Sequence, residues 1–133
     1  MSSSRRRFLV LLPLLVLLLG FRQAPLVDPP PIDVPHDITL QNVSKAIEIS
    51  LLRRGWTAAN KTADGMDGIL HLREHTAQIH IAFDASKIEI KYVSSTNLKF
   101  EEAKGERQIH KNYLGWIQNL VLDIKANLIV LAG

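Results

Sequence analysis

Three histidines crowd a short stretch: His71, His75 and His80. Closely spaced imidazoles are the usual raw material of a metal site or a proton relay. On a helix, His71 and His75 would share a face. The residues around them alternate as a strand does, and there four residues span about 13 Å. A single metal ion is out of reach of both unless the chain reverses. His80 stands on the opposite strand parity to His75, and Glu74-His75 lacks the His-Glu-x-x-His spacing of zinc proteases. These histidines read as solvent-facing or hydrogen-bonded, and no metal is expected.

A second polar cluster is Ser94-Ser95-Thr96-Asn97, followed by Leu98 and Phe100 at strand spacing. Serine and asparagine side chains bond their own backbone at turns. The cluster is either a structural turn or a contact for a ligand or partner. No glycine-flanked serine elbow is present, which leaves no nucleophile assignment. A third group is Ile109-His110-Lys111-Asn112-Tyr113 with Trp116. Tyr113 and Trp116 fall on a helical apolar stripe and read as core. His110 and Asn112 lie off it, where they either satisfy free backbone groups or face a groove. From the residues alone, Ser95, Asn97, His110 and Asn112 are the groups that could make such contacts. No catalytic set and no cofactor motif emerges, and the reading is non-enzymatic.

Several elements must position these groups. Leu40, Val43, Ile47 and Leu51 recur at helical spacing behind Asp37 or Thr39 as cap, and Arg53-Arg54-Gly55 ends the helix. Thr57 to Ala63 reads as a weak strand, Asp64 to Gly68 as a turn, and Ile69 to Arg73 as a second strand. Ala77, Ile79, Ile81 and Phe83 alternate next. The apolar parity flips between Leu72 and Ala77, so Glu74 to Thr76 must hold a tight turn or a bulge. Asp84 to Lys87 is a hairpin loop, after which Ile88, Ile90 and Tyr92 alternate. Polar partners on the other side of these strands imply an antiparallel sheet with one wet face. From Ile109 a helical stripe runs through Tyr113, Ile117, Leu120 and Ile124, with a poorly capped start. The expected fold is α+β: a two-layer sandwich of three to four antiparallel strands with both helices on one face.

The chain has 133 residues, no cysteine and a formal charge of +3. That length suits one domain. The lack of thiols excludes disulfides, thiolate metal sites and an acylated cysteine. Arg5, Arg6 and Arg7 precede Phe8 to Phe21, of which twelve of fourteen residues are apolar. A basic start and a short apolar run make an export leader, cleaved near Ala24 or retained as an inner-membrane anchor. Ser4 to Leu9 is similar to a twin-arginine signal, while the leucine-rich run suits the general secretory route. Four of the sixteen basic residues lie in this leader, leaving twelve against thirteen acids, about −1. Such a domain has no electrostatic footprint for nucleic acid. Five of the six prolines follow between positions 25 and 35. The organisation expected is a leader (1–24), a proline-rich linker (25–36), read either as a stalk or as a disordered leftover of a processed N-terminus, and a single periplasmic domain (37–133).

The succession Gly55-Trp56, Arg73-x-His75-x-Ala77-x-Ile79-x-Ile81, Ile90-x-Tyr92-x-x-Ser95-x-Asn97-Leu98 and Ile109-His110-x-Asn112-Tyr113-x-x-Trp116-Ile117-x-x-Leu120 resembles a family of small proteobacterial envelope proteins. Many of these are lipoprotein-like at their N-termini. The resemblance covers residues 38–128. It implies the compartment and the fold, it implies Arg73, His75, Ser95, Asn97, His110, Asn112 and Tyr113 as family features and so as seven candidate binding residues, and it implies no activity. Leu18-Leu19-Gly20 is similar to the residues before a lipidated cysteine, but Phe21 stands where that cysteine would be. The function expected is a tethered or periplasmic interaction module binding another envelope protein or ligand. The alternative is a small-molecule or metal-binding protein, for which Arg73, His75, Asn97 and His110 must converge within about 4–6 Å of one point in a concave pocket.

Overall fold

A computed structural model describes residues 22–133; the leader's Arg5 to Arg7 and the run Phe8 to Phe21 lie outside the described residues. The elements are β1 (Gln23–Pro25), β2 (Ile32–Asp33), α1 (Leu40–Arg53), β3 (Thr57–Thr62), β4 (Gly65–Leu72), β5 (His75–Phe83), β6 (Lys87–Thr96), β7 (Glu101–Ala103), β8 (Glu106–His110) and α2 (Lys111–Leu131). They form a five-stranded sheet in the order β2-β6-β5-β4-β3 and a three-stranded sheet in the order β1-β8-β7. Every pairing in both sheets is antiparallel. The fold is α+β, as expected, with more strands than the three to four anticipated.

Helix α1 starts and stops where its sequence says. Thr39 Oγ1 accepts the N–H of Asn42 at 3.1 Å, closing the first turn as an N-cap does. At the other end Trp56 N–H donates to Leu51 O and Gly55 N–H to Leu52 O. This pair is the Schellman closure, and Gly55 takes its left-handed position at φ 83°. Trp56 is thereby turned back into the core, where it is buried.

Both helices cover one face of the larger sheet. Gly68, Ile79 and Tyr92 stand opposite one another on three adjacent strands. Leu51 of α1 sits over Gly68, where an added Cβ would come within 2.9 Å of its Cδ2. Tyr113 of α2 meets Tyr92 edge-on, ring centroids 5.6 Å apart. The helices run antiparallel, tied by Asn42 to Leu131 O, Asn127 to Ser50 and Arg54 to Asp123. Met66, Ile79, Ile81, Ile88, Leu120 and Ile124 fill the space between the layers.

Several expectations are corrected. The turn expected over Asp64 to Gly68 is shorter, because Thr62 pairs directly with Gly65 and the rest joins β4. Gly68 reads as a turn residue but serves as the flat spot under Leu51. The parity flip is resolved by a two-residue turn at Arg73-Glu74, since Leu72 pairs with His75. The bulge lies instead in β6 at Val93, between the Gln78–Ser94 and Ile79–Tyr92 pairs. The helical period expected from Ile109 begins at Lys111, because Ile109 and His110 complete β8.

The largest difference concerns the proline-rich segment. The sequence allows a stalk clear of the domain or a disordered remnant, yet this stretch straps the domain itself. Pro25 ends β1, Ile32 pairs with Ile88, and Leu26, Ile32 and Val34 are buried. Proline suits edge strands because it has no N–H to donate. Three apolar side chains in the core outweigh the segment's preference for solvated extended chain.

Candidate functional site

The seven candidates separate into two groups. Arg73, His75, Asn97, His110 and Asn112 gather at one end of the molecule, where the β4–β5 turn, the end of β6, the end of β8 and the start of α2 meet. His75 Nδ1 donates to the carbonyl of Asn97 at 2.7 Å, and the Asn97 amide reaches back to Glu74 O at 3.5 Å. Arg73, Asn97 and Lys99 hold left-handed backbone at φ 57°, 60° and 54°. Asparagine tolerates that region because its short polar side chain can bond locally. Arg73 occupies the neighbouring turn and is exposed.

His110 has a defined structural task. Its Nδ1 accepts the N–H of Asn112 at 3.1 Å, so this imidazole caps α2. The backbone N–H of His110 donates to Leu98 O. Capping requires Nδ1 to be unprotonated. Burial, then the charges of Lys99, His75 and Arg22, holds the ring below its ordinary pKa and keeps it neutral. Asn112 contributes its backbone to this cap while remaining exposed.

Ser95 and Tyr113 point inward. The bulge at Val93 puts both Tyr92 and Ser95 on the covered face, where Tyr92 Oη and Ser95 Oγ are 2.7 Å apart. Tyr92 stacks on Phe100 at 4.8 Å. Burial raises the Tyr113 phenol well above its usual range. These groups close the end of the core.

A groove of about 380 Å³ lies between the proline strap and α2. Val27, Asp28 and Pro30 form one wall; Leu114, Val121 and Leu122 form the other. Of the seven candidates, Tyr113 alone lines it. Asp28 is engaged, accepting the N–H of Tyr92 at 2.9 Å and facing Arg107 at 3.7 Å. A smaller cavity of about 270 Å³ lies by Trp56, Leu70 and Trp116 at the end of α1.

One constellation escaped the sequence reading. On the uncovered sheet face, His80 Nδ1 donates to Asp67 at 2.7 Å, and Asn60 and Gln78 donate to the same carboxylate. The Asn60 and His80 bonds lower the pKa of Asp67. An aspartate that orients a histidine is one part of a general base. Here the imidazole lies over Gly65, whose Cβ would come 3.3 Å from His80 Cε1. The arrangement is a cross-strand clamp. Its signal in the sequence was the even parity shared by Gln78 and His80, but the register that opposes His80 to Asp67 is tertiary. Among the described residues no group of three His, Cys, Asp or Glu side chains is placed to hold a metal ion.

No family model, no curated protein and no solved structure matches the chain. The resemblance to envelope proteins therefore stands on the residue pattern alone.

Proposed function

We propose that this chain is an exported domain, tethered to the membrane of a bacterial cell envelope, that works by binding another envelope component and not by catalysis. What carries the reading is the root of the domain. The basic and apolar leader ends at Phe21, and the next residue is already part of the fold. Arg22 O accepts the N–H of Lys111, and Gln23 pairs with His110 and donates to Lys99 O. Removal of the leader after Ala24 would take Gln23 and Ala24 out of β1. Retention as an anchor keeps the strand whole and holds the polar end, with Asn97, His110 and Asn112, at the membrane. Asn97 and Asn112 are exposed there and available to a neighbour in that membrane.

The small-molecule or metal reading draws less support. The polar atoms of His75, Asn97 and His110 are directed at backbone groups instead of a common point. The test is to fractionate cells and determine the first residue of the protein. An intact leader in the membrane fraction is the expected result, and a soluble protein starting at residue 25 overturns it. A photo-crosslinking residue at Asn112 is expected to capture a discrete envelope partner in intact cells. Capture no greater than at Glu89, on the uncovered sheet face, removes the binding claim.

A further inference from the structure

Helix α2 is the one described helix long and apolar enough to cross a membrane by length and composition, yet only 22% of that apolar stretch is buried. Its inward stripe is occupied by the core. The outward side is patterned too. Lys111, Gln118 and Lys125 recur every seven residues and make one file along the helix. Leu114 and Val121 flank the file on one side, Leu122 and Ile129 on the other. Leu114, Gln118, Val121, Leu122 and Lys125 line the same open groove, and Val27 borders it from the strap. Val27 and Ile129 are 72% and 73% exposed.

We propose that this face of α2 lies on an anionic lipid surface, in the plane of the membrane that holds the leader. The inference rests on the tethered reading above. Two observations select lipid over a second copy of the chain. The first is reach: the apolar run ends one residue before Arg22, whose carbonyl is bonded to the first residue of α2. A bilayer containing that run starts near Lys111, at the first turn of α2. The second is charge. Lys125 stands on the apolar face within electrostatic reach of Asp33, which is itself bonded to Lys87, and Asp28 in the groove faces Arg107. A dimer interface would have to desolvate the Lys125 ammonium with neither acid free to pair with it alone, which is costly. At a bilayer the lysine stem lies along apolar surface while its ammonium reaches the headgroup phosphates. Tyr113, Ile117, Leu120, Ile124 and Leu128 hold the inward stripe of α2 in the core, so this helix of about 30 Å lays its outward face along the membrane plane.

The absence of native cysteine makes the test direct. The full chain is reconstituted into vesicles of phosphatidylcholine, alone or mixed with phosphatidylglycerol, carrying nitroxide-labelled headgroups. Single variants Ile129→Cys and Glu89→Cys carry the same fluorophore. The expected result is co-flotation with quenching several-fold greater at position 129 than at 89, larger on anionic vesicles and reduced by Lys125→Glu. Co-flotation with equal quenching at both positions overturns the docking and leaves the tether standing. Failure to float overturns both. Self-quenching at position 129 that rises with protein concentration in one membrane and ignores lipid charge assigns the face to a second copy instead.

Discussion

The two faces of strand β5 differ in what they demand of a side chain. Ala77, Ile79, Ile81 and Phe83 lie under the helices and are buried. Gln78 and His80 lie between them on the uncovered side, bonded to Asp67. The covered face is a problem of volume, because close-packed apolar groups cannot give way cheaply. The uncovered face is a problem of polar pairing, and water competes for every bond there. Two strategies thus alternate residue by residue along one strand, and energy should be concentrated on the covered side.

The sharpest way to break this contrast is Ile79→Ala, expected to cost roughly 2–5 kcal/mol in denaturant unfolding. A loss no greater than that of Gln78→Ala would erase the difference between the faces. Ile32→Ala, in the strap, is expected to fall in the same range of about 2–5 kcal/mol. A loss near zero would restore the stalk reading of the proline-rich segment.

Gly68→Ala comes next, at roughly 1–3 kcal/mol, because its methyl would meet Leu51 Cδ2 at 2.9 Å and Ile79 Cγ1 at 3.0 Å. Leu51→Val in the same chain is expected to recover part of that loss, and a double-mutant cycle measures the coupling.

Acid separates the two polar sites. The folded chain holds His110 below its ordinary 6.5, so the unfolded chain takes the proton first. The cap is at full strength above that value and is lost as pH falls through the lowered folded pKa, at a cost of about 1 kcal/mol, the usual worth of a cap. Faster amide exchange at Asn112 on mild acidification, abolished in His110→Asn, is the expected signature. Asp67 also sits below its ordinary 3.8, so its contribution is present above that value and disappears only in stronger acid. Loss of both contributions in one pH step would contradict the assignment. The smallest effect belongs to Asp67→Asn at neutral pH, below about 1 kcal/mol, as cross-strand polar pairs on wet faces usually are.

Much of the fold was legible in the residues. The stripe of α1, a cap at Asp37 or Thr39 and the glycine stop at Gly55 are local, and nothing distant competes with them; the structure chooses Thr39. The alternation in β5 and β6 located the covered face correctly. The hairpin of β7 and β8 was missed although Lys104 and Gly105 both take left-handed backbone in its turn. Only Gly105 advertises that conformation in the sequence, and the strands themselves are short and exposed. Within the candidate site, His110 was legible as a group able to satisfy free backbone donors. That Ser95 faces inward with Tyr92 was not, because the bulge at Val93 resets the parity between them.

Taken alone, the sequence determined the near-neutral charge of the domain, the exclusion of thiol chemistry, the two helices and the face of the sheet they would cover. Each follows from composition or from a period of two or 3.6 residues. Tertiary structure decided the rest. It drew the proline-rich segment into the core, opposed Asp67 to His80, and turned the His75 ring toward the Asn97 carbonyl and the Asn97 amide toward that of Glu74. It also left one face of α2 without a cover. Register and long-range docking bring together residues as far apart as Ile32 and Ile88, and no local period records which distant strand will be the neighbour.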